Sequence, residues 1–108
     1  MELKEIKKSL IFACLKQDPL SFVPYLLSDN VKTEMPNKTR FYRFFKRMIK
    51  CAKQKSVGEW TLKIEKTSWN RGQDNVAYNF YDEKHKYARL SIIVTEKGNE
   101  IIFETIPF

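Results

Sequence analysis

The chain predicts an α+β fold with its helices first and its sheet last. Three observations carry that prediction. Apolar residues recur at helical spacing through residues 3–55 and at every second position through residues 60–106, and the period changes at Ser56-Val57-Gly58. The longest helical stretch, Asn37–Lys55, is strongly two-faced. At about 100° per residue it gathers Phe41, Phe44, Phe45, Met48 and Ala52 on one side, with Tyr42 and Ile49 at the edge. It spans roughly 28 Å, enough to cross a small sheet as a lid.

Taken in order, Glu2–Gln17 repeats Leu3, Ile6, Leu10, Ala13 and Cys14 at helical spacing and turns Lys4, Lys7 and Lys8 outward. Asp18-Pro19 stops that helix and restarts another, a cap followed by proline at the first helical position. The second helix, Pro19–Leu27, contains Pro24, which has no N–H for the Leu20 carbonyl, so a short, bent or partly 3₁₀ element is expected. Ser28-Asp29-Asn30 is a turn, and Val31–Met35 is a short strand ahead of Pro36. Asn37 then caps the lid helix with its side-chain oxygen.

Beyond Gly58 the inward positions are Trp60, Leu62 and Ile64, then Val76, Tyr78 and Phe80, then Leu90, Ile92 and Val94, then Ile101 and Phe103. Turns at Asn70–Asp74, Asp82–Lys86 and Lys97-Gly98-Asn99 join them into a curved, four-stranded antiparallel meander. The 108 residues form one domain, 1–108, and a hydrophobic share of 43% supplies a core. Only a short apolar run, Leu10–Leu15, lies near the start, and no stretch has the length of a membrane span, so a cytoplasmic protein is expected. Cys14 and Cys51 have no metal or redox spacing and are expected to be buried, reduced thiols.

Charge is concentrated. The stretch Asn37–Lys55 holds eight basic residues and no acid, while the rest of the chain has 12 basic against 13 acidic residues. Arg40, Arg43, Arg47 and Lys50 therefore present a cationic stripe that either is simply solvated or meets nucleic acid or another anionic partner.

A first helix, the KQDP break into a short second one, LLSDNV leading to a short strand, then a lid helix and a meander make an order that resembles the nuclear transport factor 2-like superfamily. That cone-shaped α+β fold includes ketosteroid isomerase and polyketide cyclases. The resemblance covers nearly the whole chain and implies a pocket between the concave sheet and the helices, with dimerisation through the sheet. A cystatin-type arrangement is the nearest rival, and the two helices before Asn37 count against it. Enzymes of the superfamily place a carboxylate or an Asp–His pair on the pocket-facing strands. The inward row here holds no Asp, Glu or His, and Glu65 and Glu104 fall on the other face, so catalysis is not expected. A bulge around Lys66–Trp69 would invert a face and reopen the question. His85, the one histidine, lies among charges in a turn and is expected to be solvated.

The favoured expectation is a non-catalytic binding or interaction module whose apolar cavity is bordered by Tyr25, Tyr42, Trp60 and Tyr78 and suits a hydrophobic small molecule. Anionic-partner binding through the basic helix is the alternative, and a small-molecule isomerase, cyclase or hydrolase a third. No cofactor motif and no metal-ligand spacing is present. The outward row, with Tyr81, Tyr87, Ile93, Ile102 and Ile106, reads as a homodimer face on which Arg89 meets Glu104. Cover by Ile106-Pro107-Phe108 or the first helix is the competing account.

Overall fold

The computed structural model describes residues 2–35, 37–67 and 75–106, leaving aside the side chain of Ile106. Helix α1, Leu3–Leu15, buries Ile6, Leu10, Ala13 and Cys14. Its end is tied by two reversed bonds: the Asp18 N–H donates to the Ala13 carbonyl at 2.8 Å and the Gln17 N–H to the Cys14 carbonyl at 3.1 Å. This closure needs a left-handed residue, and Gln17 supplies it at φ 54°, where glycine is the usual occupant. A 3₁₀ turn, Pro19–Phe22, runs straight into α2, Val23–Leu26. Pro24 thereby falls in the first turn of α2, where its missing N–H costs nothing.

Strand β1, Val31–Thr33, precedes α3, Lys38–Gln54, whose first turn is capped by Asn37 accepting from the N–H groups of Thr39 and Arg40 at 2.9 and 3.2 Å. Strands β2, Thr61–Lys66, β3, Asn75–Tyr81, β4, Leu90–Lys97, and β5, Glu100–Ile106, follow. They lie side by side and antiparallel in chain order, and β1 adds to the far side of β5 in parallel, with Val31 opposite Ile101. The result is an α+β protein with three helices and a mixed five-stranded sheet, ordered β1-β5-β4-β3-β2. Because β1 stops at Thr33, Glu34 completes the pairing with its side chain: Oε1 accepts from the Thr105 N–H at 3.0 Å and from the Thr105 hydroxyl. The turn expected at Asn70–Asp74, the bulge that would invert a face around Lys66–Trp69 and the competing C-terminal cover by Ile106-Pro107-Phe108 involve residues outside those described.

Five fully buried phenylalanines, Phe22, Phe41, Phe45, Phe80 and Phe103, fill the space between helices and sheet. Phe22 meets Phe45 and Phe103 edge-on at 6.0 and 5.6 Å, and Phe41 stacks with Phe45 at 6.0 Å. Two expectations need correcting here. Helix α3 turns Phe41, Phe45, Ile49 and Ala52 to the core, while Phe44 and Met48 are only half-buried. Relative to the face expected, the helix is rotated by about 40°. Its apolar residues cover an arc of about 160°, more than the sheet can cover, so either edge could have faced inward.

The second correction concerns the sheet's outward side. Ile93 is 1% exposed in the isolated chain, and its neighbours Ala77, Ser91 and Thr95 are buried too, so the centre of the expected dimer face is covered within the chain. Nearer the β2 edge that face is polar: Glu65 accepts from Asn79 at 2.8 Å and from the Tyr81 hydroxyl at 3.1 Å. These bonds hold the Glu65 carboxyl below the usual range. Ile102 and Glu104 are half-buried on β5. Among the described residues no helix is long and apolar enough to cross a membrane.

Substituting Phe45→Ala should destabilise the fold by about 3–5 kcal/mol in urea denaturation, and Phe44→Ala by markedly less. Equal losses would place Phe44 in the core. Gln17→Gly should raise stability by about 0.5–1 kcal/mol by relieving the left-handed backbone, and a loss would mean that the Gln17 side chain holds the turn.

Candidate functional site

The side of α3 that the sheet leaves uncovered forms one wall of a groove. Phe44, Met48 and Ala52 lie on one ridge of the helix and Arg47, Cys51 and Lys55 on the next, four residues apart in each case. The opposite wall is the segment between β3 and β4, which contributes Tyr87, Ala88, Arg89 and the first residue of β4, Leu90. The groove encloses about 340 Å³. Its floor is apolar, three cations rim it, and no acidic side chain among the described residues lines it.

The second wall is held in place from below. The Asp82 carboxylate, whose side chain is fully buried, sits at the end of β3 and accepts four bonds. Oδ2 takes the Val57 N–H at 2.9 Å and His85 Nδ1–H at 2.7 Å, and Oδ1 takes the N–H groups of His85 and Lys84 at 2.7 and 3.3 Å. Glu83 adds two more links, its N–H donating to the Val57 carbonyl at 2.9 Å and its carboxylate accepting from the Glu59 N–H at 2.8 Å. Gly58 lies under that carboxylate at φ 76°, and a Cβ there would fall 1.3 Å from Glu83 Oε2. Residues 82–85 are thus stitched to the exit of α3, and the Arg89 N–H closes the segment on the Phe80 carbonyl at 2.8 Å. Burial alone would raise the pKa of Asp82, but the His85 ring and the three backbone N–H groups outweigh it and hold the carboxyl well below its usual range. His85 is therefore not the free surface residue expected: it is half-buried and bonded to a buried carboxylate.

The residues singled out by sequence are only partly brought together. Of the cationic set, Arg47 rims the groove, whereas Arg40, Arg43 and Lys50 are exposed elsewhere on α3. Tyr87 and Arg89, expected on a dimer face, lie in the groove wall instead, because β4 begins only at Leu90. Tyr87 is 72% exposed. Of the aromatic set, Tyr25 and Tyr42 are half-buried against the core. Trp60 is buried, its Nε1–H donating to Ser56 Oγ at 2.8 Å. None of these four lines the groove, and Tyr78 lines a second cleft. Cys14 is buried, which pushes its thiol pKa up, but Cys51 is exposed in the groove, contrary to expectation.

That second cleft, of about 370 Å³, lies where α1 crosses the far end of the sheet and is lined by Lys7, Lys66, Tyr78, Val94 and Glu96 among others. Lys7 forms an ion pair with Glu96, which raises the lysine's pKa, and burial raises that of Tyr78. Glu96 adds an exposed carboxylate at the end of the inward row, beyond the residues it was expected to contain. The alternation of Leu90, Ile92 and Val94 simply continues one step further, because β4 runs to Lys97. Among the described residues no group of three or more His, Cys, Asp and Glu is placed to hold a metal ion. Comparison with protein-family models, curated proteins and solved structures finds no match to this chain.

Asp82 contributes stability above the ordinary carboxylate pKa, and that contribution is lost as pH falls through its depressed folded value. Asp82→Asn should therefore lower the thermal midpoint at neutral pH, and the gap to the parent should shrink steadily as pH drops below about 4. A gap independent of pH would remove the carboxylate charge from the account.

Proposed function

We propose that this protein is a non-catalytic binding module whose groove between α3 and the β3–β4 segment receives an anionic partner with an apolar face. The observation that carries the reading is the composition of the groove: an apolar floor of Phe44, Met48, Ala52 and Leu90, rimmed by Arg47, Lys55 and Arg89 with no compensating acid among the described lining residues. A charge rim over desolvated apolar surface attracts and orients an anion, and the floor supplies the affinity. A nuclear transport factor 2-like architecture is part of the proposal. What supports it is the order of elements, with helices packed on an antiparallel run of four strands and a short strand before the long helix.

A second reading, a small-molecule enzyme at the cleft beneath α1, draws support from Glu96 beside Tyr78. It is the weaker one, because the Glu96 carboxylate is already engaged by Lys7.

The probe for the groove is anilinonaphthalene sulfonate, an anion with an apolar ring system. The native protein should bind it with enhanced fluorescence, and Arg47→Glu with Arg89→Glu should weaken binding by about tenfold while the unfolding transition stays cooperative. Binding indifferent to both reversals would sink the reading.

A further inference from the structure

We infer that the natural occupant of the groove is an acidic amphipathic helix of a partner protein, an inference that rests on the groove being the binding site. The arrangement of charge is the reason. Arg47 in α3 and Lys55 at its C-terminal cap stand eight residues apart, about 12 Å along the axis, and Arg89 lines the other wall. Cations therefore line both the length and the breadth of the groove. A single-headed amphiphile would neutralise one end and leave the cation at the other without a counter-charge, so it matches only part of the arrangement. A helix with carboxylates seven or eight residues apart, about 11–12 Å, reaches both ends, and apolar side chains at the intervening three- and four-residue steps meet Phe44, Met48 and Leu90.

A second copy of the chain is a poor occupant. Its two long helices are themselves basic, α1 carrying Lys4, Lys7 and Lys8 against Glu5, and α3 carrying no acid. Single-stranded nucleic acid fits the cations, but only Phe44 and Tyr87 of the described lining offer ring faces for base stacking, and Met48, Ala52 and Leu90 offer none.

The test uses the full chain and a fluorescein-labelled synthetic helix of about 16 residues with glutamates seven apart flanking an apolar stripe. Its charge-reversed lysine counterpart, dodecanoate and an oligothymidine strand are the competitors. The acidic helix should bind, displace anilinonaphthalene sulfonate, and lose about tenfold in affinity with Arg47→Glu or Lys55→Glu, and the lysine peptide should not bind. Cys51 gives an independent check of place. It is exposed in the groove while Cys14 is buried, so a bulky maleimide should modify Cys51 selectively and block the peptide. If dodecanoate or oligothymidine displaces the sulfonate and the acidic helix does not, the occupant is not a helix and the inference fails while the groove reading stands. Displacement by none of them, with sulfonate binding insensitive to charge reversal, removes both. Helix binding unaffected by the Cys51 adduct also overturns the inference.

Discussion

The groove end of the molecule depends on the Asp82 carboxylate. A long helix and a sheet packed through phenylalanines fix each other's distance, but apolar contact is non-directional and leaves the connecting segments free to slide. Asp82 removes that freedom. It is buried, so its charge must be satisfied, and the donors that satisfy it come from both sides: Val57 from the exit of α3, His85 and Lys84 from the segment after β3. One side chain thus couples the end of the helix to the loop that faces it, and the width of the groove between them follows.

The groove itself arises from a mismatch. Helix α3 carries more apolar surface than the sheet can cover, and the surplus at Phe44 and Met48 is left on the flank. The next ridge carries Arg47 and Lys55, whose long stems extend the apolar surface while their heads remain charged. The flank is therefore apolar at its base and cationic at its rim, a combination suited to ligands that have both characters.

Most of the architecture was legible in the residues because periodicity reports which side chains share a face. The helical spacing of α1, the break at Asp18-Pro19, the cap at Asn37 and the alternation of β2 to β5 all follow from local rules. What the spacing could not give was rotation and reach. The apolar arc of α3 is too wide to say whether Phe44 or Ile49 points inward, and nothing local to Val31–Thr33 says that it pairs in parallel with β5. Glu96 was within reach of the same alternation that placed Val94, had the strand been carried two residues further. Asp82 was also visible, three residues before His85, as a side chain suited to capping its own turn, although its bond to Val57 joins residues 25 apart and has no sequence signature. The groove was not legible, because its walls are held by long-range bonds such as that one and shaped by the rotation of α3.

The parallel pairing of β1 with β5 bears on the order in which the molecule can assemble. Val31 and Ile101 are about 70 residues apart, and the chain contact that joins them closes the largest loop in the sheet. Residues 2–35 have no other strand to join. During synthesis α1, the 3₁₀ turn and α3 can already meet through Phe22 and Phe45, but β1 must wait, with Val31 unpaired, until β5 has left the ribosome. The sheet is therefore completed last at this edge, and slow codons ahead of β5 would lengthen the wait.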